Sequence, residues 1–317
     1  MILTDYLRSD KDVTWDYAKQ CGVTHGVIRL PENKEFDLTD KTHWQAVHKR
    51  FTDYGIKPII VEPMPNEVHD HIKAGDHVRD ESIEKVLKML PIMRDLGMES
   101  ICFNWMAHVG WHRTKSDVLE RGGALVTEFD LADYAPKMSA SITEKELWDN
   151  YEYFLKAVLP TAEKCGIKLA LHPDDPPLPK LGDVSRIMIN VENIKKAIYD
   201  VYPSENLGLT MCQATFYIMG ADLEKTITEL AEKIFFVHFR NATGGLPKFR
   251  ETFHDNGDLD MAKLLRLYTK LGIDVPIRVD HVPTFKGENT EVAGYAAMGR
   301  LFAIGYLKGL LEAIGEK

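Results

Sequence analysis

The sequence is short of several things, and each shortage excludes something. Its four cysteines, Cys21, Cys102, Cys165 and Cys212, stand far apart with no C-x-x-C pair, so no disulfide-dense framework is available. Free thiols in a reducing cytoplasm are the natural reading. No apolar run approaches the ~20 residues of a membrane span. Met1 to Lys11 lack the basic region and apolar run of a secretory signal. Positive charge is in deficit: 39 Lys+Arg face 48 Asp+Glu, a net −9. A protein built to grip phosphate backbones carries the reverse balance, so no nucleic-acid partner is expected, and no membrane either. There is no G-x-G-x-x-G, no Gly-Lys dipeptide for a P-loop and no H-E-x-x-H. Linkers, low-complexity tracts and short repeats are also missing.

What is there is an ordinary globular composition, 44% hydrophobic and 27% charged over 317 residues. At roughly 150 residues per domain the length suggests two domains, but one large α/β barrel fits equally well. Short apolar runs decide between them. They fall at 27–30, 58–62, 100–104, 168–172, 207–212, 234–240, more weakly at 249–254, and at 276–280. Helical periodicities lie between them: 82–96, 142–165 (with Ser141 and Glu144 as a capping box), 191–201, 222–232, 260–271 and 292–314. Eight strands alternating with helices predict a single (β/α)8 TIM barrel spanning 1–317. One stretch, about 107–139, breaks the rhythm and carries Gly122-Gly123. Such an insertion reads as an active-site lid or as a packed surface excursion.

Residues two apart in a strand share a face. Leu169 and Leu171, Leu207, Leu209 and Met211, Phe235, Val237 and Phe239, and Ile277 and Val279 form consistently large apolar faces, expected to pack on the helices. The opposite faces end in His172, Cys212, His238 with Arg240, and Asp280. Barrel enzymes place their chemistry at the C-terminal ends of the strands. Two imidazoles, a thiolate and a carboxylate there suit a divalent transition metal, although any one alone would be an ordinary core residue. By ligand type zinc, manganese, cobalt and iron are all open. His69, Asp70, His71, Asp76 and His77 resemble a metal sink by composition, but a solvated loop or helix face explains them better.

The strings His172-Pro173-Asp174-Asp175-Pro176-Pro177, Gly208 to Cys212, His238 to Asn241, Arg278 to His281 and Gly294-Tyr295 onward resemble, in order, the signature segments of bacterial mannonate dehydratases, from about Gly22 on. The resemblance implies a xylose-isomerase-like barrel with manganese, converting D-mannonate to 2-keto-3-deoxy-D-gluconate and water. It implies His172, Cys212, His238 and Asp280 as metal ligands and His281 with Tyr295 as the proton-transfer pair, acid and base unassigned. His281 follows Asp280 directly, so it reaches the mouth only if the chain bends there. A small anionic sugar acid would be the partner. Arg240 is the candidate for its carboxylate, with Asn241, Asn104, Trp111, Arg113 and His254 as further substrate contacts; a structural salt bridge is the other reading of Arg240. In the segment Asn104 to Thr114 the family pattern Asp-Trp-Thr-Arg-Thr is met by Trp111, Arg113 and Thr114. Gly110 and His112 depart from it, and the chain is shorter than typical members. A metal-dependent sugar isomerase or epimerase and a non-catalytic sugar-binding barrel remain as alternatives. The C-terminal segment 293–314 could be a plain barrel helix or part of a homodimer face.

Overall fold

The computed structural model describes residues 1–136, 139–289 and 292–315. Eight strands close into a barrel: β1 (Ile2–Arg8), β2 (His25–Arg29), β3 (Lys57–Val61), β4 (Ser100–Asn104), β5 (Lys168–His172), β6 (Leu207–Cys212), β7 (Ile234–Phe239) and β8 (Pro276–Val279). Every pairing is parallel, and β8 returns to β1 through Leu3 opposite Ile277. All eight C-terminal ends therefore open on one side.

The count of eight is as expected, but its membership is not. Ile2–Arg8 is the first barrel strand, and no apolar run marks it, because Thr4, Asp5 and Arg8 interrupt the sequence. The weak run at 249–254 is not a barrel strand. Its first part, Lys248–Glu251, pairs antiparallel with Ala242–Gly245 and with Leu125–Asp130, and the latter pairs with Lys115–Leu119. The segment 107–139 thus supplies half of a four-stranded antiparallel sheet; its residues 137–138 lie outside the described ones. Leu125 also bridges Thr284, beyond β8, so loops after three different strands are joined.

Strand alternation sorts the side chains largely as expected. Ile101, Phe103, Leu169, Leu171, Leu207, Leu209, Met211, Val237, Phe239, Ile277 and Val279 join the core shared with the helices, which contribute Phe154, Leu155, Val158 and Leu159 among others. A smaller cluster fills the barrel interior, including Val27, Cys102, Ala170, Phe235 and Phe236. Phe235 breaks the expected parity. The β6–β7 register shifts between Leu209 and Thr210, which pair with Ile234 and Phe236, so the bulge turns Phe235 inward and Ile234 outward. Gly208 makes room for it: a Cβ there would stand 2.6 Å from the Phe235 ring and 2.3 Å from the Lys233 carbonyl oxygen.

The long helix Glu144–Cys165 starts on a capping box two residues later than expected, Thr143 with Glu146. Helices Val13–Gln20, Lys41–Asp53, Asn66–Ala74 and Arg79–Asp95 complete the N-terminal half. The last helix, Ala297–Ala313, begins just after Tyr295. No helix among the described residues is long and apolar enough to cross a membrane.

Candidate active site

Because the strands are parallel and in register, their terminal polar residues meet. His172 closes β5, Cys212 closes β6, His238 is the penultimate residue of β7, and Asp280 follows β8 directly. One donor atom from each of the four lies within 4.8 Å of the others. The His172 Nδ1 donates to the Pro173 carbonyl at 2.7 Å, which leaves Nε2 as the ring nitrogen available to a metal. His238 is buried and neither ring nitrogen makes a well-formed hydrogen bond among the described residues, although Nε2 lies 3.1 Å from Glu62 and Nδ1 3.6 Å from Asp280. Burial and Arg278 disfavour its protonation, but Glu62 and Asp280 prevail and hold it well above the usual histidine range. Burial alone would raise the Cys212 thiol; Arg240, His172 and His238 together outweigh it and hold the thiol well below its usual range. Metal ligands bind deprotonated, so a divalent cation facing the Cys212 thiolate and the Asp280 carboxylate would take the place of the proton drawn to His238. These donors fit a divalent transition metal in type and convergence.

The chain bends after Val279, and this brings His281 to the same mouth rather than outward. Its Nε2 lies 3.2 Å from the Tyr295 hydroxyl, and its Nδ1 lies 2.8 Å from Glu251. Tyr295 is held well above the usual phenol range, by burial first and then by Asp280. Its hydroxyl therefore keeps its proton.

The mouth opens into a cavity of about 510 Å³ lined by the metal-suited His172, His238 and Asp280, by His281 and Tyr295, and by Asn104 and Trp111. The Trp111 ring stands edge-on to His281, with centroids 4.9 Å apart, and its buried indole N–H has no partner among the described residues. Gly110 and the extra His108 line the cavity too. His108 adopts φ 58° in a tight turn closed by Val109 N–H donating to the Ala107 carbonyl at 2.6 Å. His112 instead packs edge-on against Tyr134.

Four residues expected at the substrate are not among the cavity's lining residues. Arg240 is wholly buried and lies 2.8 Å from Asp175 and 2.9 Å from Glu251. The salt-bridge reading of this arginine is the one the geometry supports. Arg113 forks onto the same carboxylates, 2.6 Å from Asp175 and 2.5 Å from Glu251. Asn241 donates to the carbonyls of His254 and Leu259 and accepts from the amides of Ala242 and Leu259. The His254 Nε2 donates to the Phe239 carbonyl at 2.8 Å, and burial lowers its imidazole to about 4. These side chains brace the wall behind the cavity.

Sequence reasoning missed the carboxylates of that wall. Glu251 sits in the misread strand, and Asp175 lies inside the HPDDPP string without an assigned role. Glu62 holds Arg278 through two 2.9 Å hydrogen bonds. In the His69 cluster, His69 itself is not solvated. It is buried among Phe103, Trp105 and Phe154, while His71 pairs with Asp76 at 2.7 Å.

Comparison with known proteins shows the family. The family model of D-mannonate dehydratase (UxuA) matches residues 2–140 and 131–317, so the likeness begins at β1 and not only at Gly22. A mannonate dehydratase of Streptococcus equi subsp. zooepidemicus is 32% identical over 291 residues, covering 82% of this chain and 79% of that protein. Mannonate dehydratase 2 of Halalkalibacterium halodurans is 30% identical, with 97% of each chain covered. The crystal structure of mannonate dehydratase from Streptococcus suis serotype 2 superposes with a TM-score of 0.90 at 29% identity, over 99% of this chain and 93% of that one. An L-ribulose 3-epimerase structure, at 16% identity and a TM-score of 0.61, shares the barrel fold. On the match along its whole length, this chain belongs to the D-mannonate dehydratase family.

Proposed function

We propose that this chain dehydrates D-mannonate to 2-keto-3-deoxy-D-gluconate, with a divalent metal held by His172, Cys212, His238 and Asp280. The observation that carries the reading is the convergence of those four donors beside the hydrogen-bonded His281–Tyr295 pair. A bound divalent cation would supply Lewis acidity, drawing charge from the substrate's carboxylate and neighbouring hydroxyl so that the C2 proton becomes removable. The chain's own groups do the rest. His281 offers Nε2 as the base for the C2 proton, because Glu251 occupies Nδ1. Tyr295, a phenol that keeps its proton, donates it to the C3 hydroxyl as that group leaves as water. The C2–H and C3–O bonds break, and the resulting enol ketonises to the 2-keto-3-deoxy acid. The proton gained by His281 can pass back to Tyr295 across their 3.2 Å contact, which resets the pair. Trp111 offers its unpartnered N–H to a substrate oxygen, and Asn104 is a second polar group on the wall.

Manganese as the ion and the cytoplasm as the compartment belong to the same reading, and the four free cysteines suit a reducing compartment. The segment 107–139 would act as the lid. A homodimer would use the last helix, where Met298 and Leu301 are 37% and 38% exposed. The test is a product assay with manganese added to the purified protein and D-mannonate. A 2-keto-3-deoxy acid is expected; an epimeric hexonate formed without loss of water would overturn the proposal.

A further inference from the structure

Lys73 is a charged residue on the cavity wall that the proposed chemistry does not use. It lies on the helix Asn66–Ala74 after β3, one helical turn beyond the buried His69 and on the same face. Its side chain is only 4% exposed. Lysine is rarely buried to this degree unless its ammonium is paired. The pairing here is thin: Asp70, at 2.9 Å, is itself 62% exposed and so well hydrated. The other neighbour, Asn104 Oδ1, stands at the 3.5 Å limit and already accepts the Met106 amide at 3.1 Å. An ammonium has three donors. A buried cation on a cavity wall, with donors left over, is placed to meet oxygen atoms in that cavity.

Position says which oxygens. Asn104 ends β4 and is in register with His172 of β5. The metal-suited donors follow around the ring on β5, β6, β7 and β8, and the His281–Tyr295 pair lies beyond β8. In an eight-strand ring β4 stands opposite β8. A six-carbon acid whose first carbons lie at the donors and at His281 extends across the mouth toward β3 and β4.

We infer that Lys73, with Asn104 beside it, forms a subsite for the hydroxylated tail of the substrate and sets the preference for six-carbon over shorter sugar acids. This rests on the sugar-acid dehydratase reading above. Losing a hydrogen bond from a charged donor typically weakens binding by roughly tenfold to a hundredfold.

The test compares D-mannonate with the four-carbon aldonate of matching C2 and C3 configuration. Equilibrium binding is measured by calorimetry in a manganese-loaded Tyr295→Phe background, and kcat/KM in the otherwise native enzyme. Lys73→Met should weaken the six-carbon acid by roughly tenfold to a hundredfold, leave the four-carbon acid within about twofold, and act on KM more than on kcat. Lys73→Arg, which keeps the cation, should recover part of the loss. Equal losses on both acids would place Lys73 at the carboxylate or in a structural role, and would overturn the inference. Should Lys73→Met fail to fold, Asp70→Asn at the surface reads the same subsite. Freeing the ammonium should strengthen six-carbon over four-carbon binding, and an unchanged ratio counts against the proposal. If the native enzyme turns over D-mannonate while these ratios do not move, this inference alone falls. If it neither binds nor converts D-mannonate, the dehydratase reading falls with it.

Discussion

Replacing Glu251 by Gln preserves the shape of the side chain and removes one negative charge from the wall behind the cavity. In that wall Arg113 and Arg240 are balanced by Asp175 and Glu251, all four almost wholly buried. Leaving one buried cation uncompensated costs about 3–5 kcal/mol. The unfolding entropy of a 317-residue chain is about 0.67 kcal/mol/K, so the midpoint should fall by about 4–8 °C. Catalysis should suffer separately. The amide oxygen introduced by Glu251→Gln can still accept from His281 Nδ1, but a charge-assisted bond becomes a neutral one, a loss of about 1–2 kcal/mol, or roughly five- to thirtyfold in kcat. Calorimetry and steady-state assay of the manganese-loaded enzyme measure both. Adding Arg113→Met restores the charge balance and should recover much of the melting temperature while leaving kcat low, because His281 still lacks its carboxylate. A midpoint within about 1 °C of native would refute the charge argument. A fall in stability with native kcat would refute the positioning of His281.

Acid should unfold the protein steeply. Burial alone would raise Glu62, Asp175 and Glu251, but Arg278, Arg113, Arg240 and His281 outweigh it and hold them well below the ordinary carboxylate range. A depressed native pKa stabilises above the unfolded value of about 4, and that stabilisation is lost as pH falls below it. Three such groups give a slope of about 4 kcal/mol per pH unit near pH 3, measurable by urea denaturation; a shallow dependence would contradict these pairings. Cys212→Ala and His238→Ala should each lose bound metal by elemental analysis and turnover with it, and turnover persisting without metal would sink the mechanism. Tyr295→Phe keeps the ring against Tyr6 and removes the proton donor, so kcat should fall by roughly 10²–10⁴ with little change in melting temperature. Gly208→Ala pushes a methyl group into the Phe235 ring and the Lys233 carbonyl; a cost of about 1–3 kcal/mol should lower the midpoint by about 1–5 °C.

The barrel and its four donors were legible because both depend on local alternation. A strand whose outward face is apolar and whose inward face ends in a donor side chain shows both in its own sequence, and parallel pairing brings such ends together. The same logic failed at β1, where Leu3 and Leu7 face the helices but Asp5 lies between them, pairing at 2.5 Å with Arg300 of the last helix, more than 290 residues on. Nothing local to Asp5 reveals that partner. Lys248–Glu251 failed in the opposite way: it is a strand, but no local pattern says which sheet a strand joins. The ion network eluded the sequence for the same reason. Arg113, Asp175 and Glu251 come from three separate loops and meet only once the barrel has closed. Arg240, on the expected face by parity, is drawn into that network beside Asp280 and Cys212.

The side sheet has an evolutionary and engineering consequence. Loops at the mouth of a (β/α)8 barrel are commonly interchangeable parts, each free to vary while the scaffold stays put. Here the loops after β4 and β7 are stitched by main-chain pairing, and the loop after β8 is tacked on through Leu125 and Thr284. The strand that carries Glu251, the partner of His281, is one of the stitched pieces. A graft or deletion within 115–130 would therefore displace the strand that carries Glu251 and, through it, His281 some 150 positions away, so changes in these loops must be concerted. This mouth is built as a block.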